Sequence, residues 1–156
     1  AVFQDDLICY RNLREYIERS KRPERGYLNG FTFPSNQDIA PKEIGWFRGR
    51  DHAGSPQEPV PFQQGRGAVM LIFPREAVRL LLVSDHFVHR VEDVQRGWRA
   101  IDGGIVCALN KEGWSEYVHN PSLCQHIGQV SVMGNKPHPQ ARSFRGEEYD
   151  ALNLLE

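Results

Sequence analysis

The run GAVMLIF, at residues 67–73, constrains the fold most, because no residue in it carries a charged or polar side chain. A strand with one face in solvent alternates apolar and polar residues, whereas a continuous apolar run is typical of a strand covered on both faces. PREAVRLLLVS follows directly and predicts a helix that begins with Pro74, where a missing N–H is tolerated. A doubly covered strand that leads straight into a helix indicates an α/β arrangement.

The remaining segments alternate in the same way. Strands are predicted in AVFQDD, which ends at two acids, and in YLNGFTFP and WSEYVH. Helices are predicted in CYRNLREYIERS, with an apolar stripe at Cys9, Leu13, Tyr16 and Ile17, and in IDGGIVCALNKEG, which Gly113 closes. NPSLCQHIG predicts a turn and a loop. We therefore expect an α/β domain whose mixed sheet is flanked by helices.

The length of 156 residues is sufficient for one domain with a substantial core and too short to expect two. Residues 35–66 are rich in glycine, proline and polar residues, which predicts a long loop. Residues 129–156 are expected to form an irregular tail that ends in a short helix over EEYDALNLL. We therefore expect residues 1–156 to form a single domain.

The composition argues against several functional classes. Nineteen lysines and arginines nearly balance twenty acids, so the overall charge does not favour nucleic acid as a partner. The apolar stretches VMLIF and LLLV are far too short for a transmembrane segment. Cys9, Cys107 and Cys124 are scattered and form no CxxC motif, which favours reduced thiols in a cytoplasmic protein over a disulfide scaffold.

Two adjacent acids, Asp5 and Asp6, follow the first predicted strand. Carboxylates at the end of a buried strand are well placed for a hard cation such as Mn²⁺ or Mg²⁺, which bridges to substrate phosphates. The same residues could instead cap the following helix and complement its dipole. The residues alone leave both interpretations open, and helix capping is the commoner role.

Asp102, His126 and Trp46 are equally ambiguous from the residues alone. Asp102 is a good N-cap, but Gly103 and Gly104 cost a helix roughly 1 kcal/mol each, which suggests close approach of a ligand and a general base at Asp102. His126 lies among apolar neighbours and could be structural or a ligand. Trp46 could stack on a sugar ring, and core packing explains it less well than it explains the other aromatic residues, because Trp46 lies in the long polar loop.

Taken in order, these motifs resemble the second half of a GT-A-fold glycosyltransferase. QDDLICYRNLREYIE resembles the acidic metal motif with its helix, and GRGAVMLIFPREAVRLLL the Gly-Ala segment of the acceptor side. AIDGGIVCAL resembles the helix that carries the catalytic acid. EYVHNPSLCQHIGQVSVMGN resembles the terminal P-S-L-V-Q-H-x-G segment and is the most specific match.

The resemblance implies a transferase that uses Mn²⁺ or Mg²⁺, a nucleotide-diphosphate sugar as donor and a carbohydrate or other hydroxyl group as acceptor. It assigns Asp102 as the base that deprotonates the acceptor. It assigns the metal to Asp6, Asp5 and His126. Residues that it places near the substrate are Gln4, Trp46, Gly67, Ala68, Gly103 and Gly104. Gln4 departs from the motif, because many relatives have an acid there.

In this fold the acidic motif lies at the C-terminal end of a nucleotide-binding half that is made of βα units. We expect that half to precede Ala1, AVFQDD to be its last strand, and residues 1–156 alone to be inactive or nearly so. An exposed first strand would then favour self-association. A non-catalytic carbohydrate-binding or interaction module on the same framework is the alternative, and a metal-dependent phosphoesterase is a weaker one.

Overall fold

The computed structural model describes residues 1–3, 6–51, 69–84, 88, 101–128 and 139–155, and only the backbone of residues 101–103. The strands described are β1 (Val2–Phe3), β2 (Leu7–Cys9), β3 (Gly26–Asn29), β4 (Gly45–Arg48), β5 (Met70–Ile72), β6 (Ser115–Asn120) and β7 (Cys124–His126). The helices described are α1 (Leu13–Arg19), α2 (Pro34–Gln37), α3 (Arg75–Val83) and α4 (Ile101–Lys111), followed by a 3-10 helix over Ala151–Leu154.

The larger sheet has five strands in the order β1-β5-β3-β6-β4. β3 and β6 run parallel, whereas the other neighbours in this sheet pair antiparallel. β2 and β7 form a separate antiparallel pair. The expected α/β class with a mixed sheet and flanking helices is therefore confirmed. Across the described part of the chain, no helix combines the length and apolarity needed to cross a membrane.

Both faces of the larger sheet are covered, as β5 shows most clearly. Met70 and Ile72 belong to an apolar cluster with residues of α1 and the 3-10 helix, whereas Leu71 belongs to a second cluster with residues of α3 and α4. All three residues of β5 are buried. The prediction from GAVMLIF is thus confirmed, because successive side chains of the strand enter opposite layers.

The first predicted helix begins later than its apolar stripe suggested. Leu13, Tyr16 and Ile17 are buried on α1 as expected. Cys9, however, lies in β2, and the left-handed Asn12 (φ 53°) separates that strand from the helix. The prediction for Cys9 was wrong because pairing with β7, a distant segment, overrides the local helical spacing.

Two further predictions of irregular structure were wrong. Residues 35–66 were expected to be a loop, but α2 lies across the beginning of this range and β4 within it, where it pairs with β6. NPSLCQHIG was expected to be a turn and loop, but its last part forms β7. β4 and β7 are short strands that pair with distant segments, so the local composition does not reveal them. Residues 52–66 of the predicted loop lie outside the described residues.

The predicted end of α4 at Gly113 is confirmed. Gly113 has φ 76°, and its N–H donates to the Asn110 carbonyl at 3.0 Å. The N–H of Trp114 donates to the Leu109 carbonyl at 2.9 Å. This pair of hydrogen bonds is a Schellman motif, in which glycine avoids the Cβ penalty of the left-handed conformation. It places Trp114 at the entrance to β6.

A buried histidine, His119, connects three elements of the fold. Its Nδ1 lies 2.7 Å from the Pro121 carbonyl, so Nδ1 carries the proton and donates. Nε2 therefore accepts the hydroxyl of Tyr16 on α1, at 2.5 Å. Trp46 of β4 meets the imidazole edge-on. Burial lowers the pKa of His119 to about 4 from an ordinary value of 6.5, so the ring is neutral near neutral pH.

We expect His119 to make the folded state less stable in acid. Between pH 6.5 and about pH 4 the unfolded chain binds a proton at this residue and the folded chain does not. The free energy of unfolding should therefore lose roughly 3 kcal/mol over this range through His119 alone. His119→Gln should be less stable than the unmodified protein at pH 7, and the difference should shrink as the pH falls.

The measurement is urea unfolding of both proteins at several pH values from 7 to 4. Other groups titrate in both proteins and cancel in the difference between them. A difference in unfolding free energy that does not change with pH would contradict the neutral, buried state of His119.

Candidate functional site

The pairing of β2 with β7 brings Asp6 next to His126. Leu7 lies opposite His126 in the register, and Asp6 immediately precedes Leu7. The ladder continues one residue beyond the strands, because the N–H of Ile127 donates to the Asp6 carbonyl at 2.9 Å. Asp6 and His126 therefore lie at the same end of the β2–β7 ladder, although they are far apart in the sequence. The motif resemblance assigned both of them to one metal.

The two side chains are in direct contact. His126 Nε2 lies 3.0 Å from Asp6 Oδ2. The imidazole is almost completely buried, with 6% of its side-chain surface exposed, whereas the Asp6 side chain is 41% exposed. A buried ring with a fixed orientation therefore faces a carboxylate that is open to solvent on its other side. This arrangement leaves Asp6 accessible to a ligand from solution.

Gly128 packs directly against the side chains of Asp6 and His126. A Cβ atom at this position would lie 2.1 Å from Asp6 Oδ2 and 2.7 Å from His126 Cε1. Real Cβ atoms do not approach other atoms so closely, so only glycine fits without displacing a side chain. The glycine of the Q-H-x-G segment thus leaves the space in which the carboxylate and the imidazole meet.

The other residues of the PSLCQH segment hold β7 in place. Ser122 Oγ accepts the Thr32 N–H at 3.0 Å and donates to the Cys124 carbonyl at 2.8 Å. Gln125 Oε1 accepts the Ala141 N–H at 2.8 Å and so attaches the tail. Leu123 is buried in the core. In this segment, His126 is the residue that contacts the candidate metal ligand Asp6.

A pair of thiols lies on the same ladder, two residues away from His126. Cys9 is directly opposite Cys124 in the register, and neither forms a disulfide. Their thiols are hydrogen-bonded to each other, and this bond lowers the pKa of Cys9. The same hydrogen bond and burial raise the pKa of Cys124. The partly exposed Cys9 is therefore the more acidic of the two thiols.

The chemistry of Asp6 and His126 fits a divalent cation. Carboxylate oxygen and imidazole nitrogen are ligands that suit Mn²⁺, and two protein ligands leave positions for water and substrate oxygens. Gly128 has no side chain that would push the Asp6 carboxylate away from His126. Among the residues described, no group of three or more histidine, cysteine, aspartate or glutamate side chains could hold a metal. The third predicted ligand, Asp5, lies outside them.

Several predicted site residues fall where the structure gives little or no description. Gln4, Asp5, Gly67 and Ala68 lie outside the described residues. Asp102 and Gly103 lie in α4, with only their backbone described. Asp102 is helical, so it lies within α4 rather than before it as an N-cap. Gly104 follows in the same helix and is buried. Their assigned roles stay predictions.

Trp46 lies in a strand and not in a loop. Its Nε1–H donates to Ser20 Oγ at 3.1 Å, and its ring centroid is 4.7 Å from that of His119. The premise that set Trp46 apart from core aromatic residues was therefore wrong, because β4 places it against α1 and β6. Contact with a sugar ring stays a prediction for this residue.

A buried carboxylate, Glu116, was missed by the sequence interpretation. It is 2% exposed on β6, and its Oε1 accepts a hydrogen bond from Asn29 Nδ2 at 2.8 Å. A buried carboxylate requires such partners, because its desolvation is costly. The alternation within WSEYVH contained the signal, since Glu116 and the apolar Val118 point to the same face of the strand.

The chain matches no model of a known protein family, no curated protein and no solved structure. Its functional interpretation therefore depends on the geometry of the site and on the order of its motifs.

We expect Gly128→Ala to separate Asp6 from His126. The added Cβ would overlap Asp6 Oδ2, so the variant should lose about 1–3 kcal/mol of unfolding free energy. Part of that loss should disappear when Asp6 is also changed to alanine, because the overlapping oxygen atoms are then absent. Urea unfolding of the two single variants and the double variant measures this coupling.

Gly49→Ala is the matched control. A Cβ at Gly49 would lie 3.6 Å from its nearest neighbour, an ordinary contact, so this change should have a much smaller effect. Equal losses for Gly128→Ala with and without the Asp6 carboxylate would contradict the proposed geometry.

Proposed function

We propose that this chain is the metal-motif and acceptor-side part of a GT-A-fold glycosyltransferase. The whole transferase moves a sugar from a nucleotide-diphosphate donor to an acceptor hydroxyl, with Mn²⁺ or Mg²⁺. The observation that carries the proposal is the contact of 3.0 Å between Asp6 and His126. The motif resemblance assigned both residues to one metal although they lie far apart in the sequence, and their proximity supports that assignment.

Asp6 and His126 are the residues that would hold the ion. When bound, the ion supplies positive charge that stabilises the diphosphate as it leaves. Asp6 presents a partly exposed carboxylate oxygen, and the buried His126 keeps one orientation through its packing. The contact between Nε2 and the Asp6 carboxylate must be replaced by a bond to the ion when this nitrogen becomes a ligand.

The role proposed for Asp102 is that of general base. Its carboxylate accepts the proton of the acceptor hydroxyl as the hydroxyl oxygen attacks the anomeric carbon. The bond from that carbon to the diphosphate breaks, and its electron pair leaves with the diphosphate. A base of this kind favours inversion at the anomeric carbon. Gly103, next to Asp102, has no side chain to obstruct an approaching acceptor.

We expect the full chain to bind Mn²⁺ and to lose this binding with either ligand. Asp6→Asn and His126→Gln should each weaken the affinity about tenfold or more, because each removes one donor of the set. The loss of the free Mn²⁺ signal in electron paramagnetic resonance measures the binding directly. Glu147→Gln removes an exposed carboxylate from the tail and is the matched control, which should bind normally.

The same proteins separate the transferase from its alternatives. Any binding of nucleoside diphosphates, measured by calorimetry, should require Mn²⁺ and an intact Asp6. Sugar binding that ignores Mn²⁺ and survives Asp6→Ala would favour the carbohydrate-binding module instead. Metal-dependent cleavage of simple phosphodiesters would favour the phosphoesterase. Normal Mn²⁺ binding by both ligand variants would overturn the assignment of Asp6 and His126.

A further inference from the structure

The cysteine pair Cys9 and Cys124 lies at a position of the β2–β7 ladder that suits a cross-strand bond. The N–H of Tyr10 donates to the Leu123 carbonyl, and the N–H of Ile127 donates to the Asp6 carbonyl. Hydrogen-bonded and non-hydrogen-bonded pairs alternate along an antiparallel ladder. Counting from either bond, Cys9 and Cys124 form a non-hydrogen-bonded pair, the type in which opposite side chains are closest.

The expected spacing satisfies the requirements of a disulfide. Cα atoms of a non-hydrogen-bonded pair are about 4.5 Å apart, and disulfides usually join Cα atoms about 4.4–6.8 Å apart. Directly opposite residues also point to the same face of the ladder. The two sulfur atoms should therefore lie close enough to bond without a large movement of the backbone. The third cysteine, Cys107, lies in α4.

The two thiols differ in their accessibility. Cys9 is partly exposed, whereas Cys124 is completely buried. A small oxidant from solution therefore reaches the sulfur of Cys9 first, and Cys124 is held beside it as the resolving thiol. Redox-sensitive cysteines commonly have this arrangement, in which an accessible thiol lies next to a resolving thiol.

We propose that Cys9 and Cys124 are a peroxide-sensitive thiol pair that forms a reversible disulfide between β2 and β7. The Cys9 sulfur attacks one oxygen of hydrogen peroxide, the O–O bond breaks, and Cys9 becomes a sulfenic acid while water is released. The Cys124 sulfur then attacks the Cys9 sulfur, and the hydroxyl leaves as a second water. Two thiols lose two electrons and two protons, and one peroxide becomes two waters.

The consequence is a covalent bond across the ladder that holds Asp6 against His126. Each strand has three residues, so a cross-link at one pair restricts opening of the whole ladder. Exchange of the Tyr10 and Ile127 amide hydrogens requires that opening, because both donate across the ladder. The modification therefore has a readout that is independent of metal binding or catalysis.

The experiment treats the folded, full chain with hydrogen peroxide in slight excess and then blocks remaining thiols in denaturant. We expect the number of free thiols to fall from three to one, with Cys9 and Cys124 joined in a single peptide pair by mass spectrometry. Exchange of the Tyr10 and Ile127 amides should slow by at least about tenfold. Dithiothreitol should restore both the thiols and the exchange rates.

Matched variants sharpen the test. Cys107→Ser should still form the disulfide, whereas Cys9→Ser should retain both of its remaining thiols at the same peroxide dose. A disulfide that includes Cys107, a bond between two chains, or Cys9 oxidised without a link to Cys124 would overturn the proposal. The peptide map of the unmodified protein decides the question even if Cys9→Ser does not fold.

Discussion

The antiparallel pairing of β2 with β7 is the constraint on which the candidate site depends. A ladder of three residues per strand is marginal alone, so its stability has to come from its surroundings. Tyr10 stacks on Phe144 of the tail at 4.9 Å and accepts the Arg145 N–H. At the other strand, Ser122 is bonded to the segment after β3. The tail and the larger sheet therefore both fix the position of Asp6 and His126.

The buried network around His119 connects the larger sheet to α1, the helix that follows β2. Tyr16 and Trp46 contact the same imidazole from α1 and β4, and the Thr32 hydroxyl donates to the His119 carbonyl. The neutral state of the ring allows this arrangement, because one nitrogen donates and the other accepts. The network leaves the ring unavailable as a metal ligand. Of these two buried histidines, His126 is thus the one that contacts a carboxylate that could hold an ion.

Local patterns predicted the elements whose signals lie within a few residues. The apolar run at β5 and the glycine that ends α4 are both of this kind. β4 and β7 were missed because each is a short strand that forms only against a distant partner. The residues alone left the roles of Asp6 and His126 open, and the resemblance assigned both to one metal. Their contact depends on a register that neither segment encodes. Glu116 could have been found from strand alternation, whereas the steric demand at Gly128 appears only with the fold.

The register also explains why the spacing within PSLCQHIG matters more than its composition. Cys124 and His126 alternate along β7 with Gln125, which points the other way. One inserted residue would keep every side chain but reverse the face of those beyond it. His126 would then leave Asp6, and Gln125 would lose the tail. The same alternation puts the thiol pair on the His126 face, so the proposed metal site and the proposed disulfide both depend on the pairing of β2 with β7.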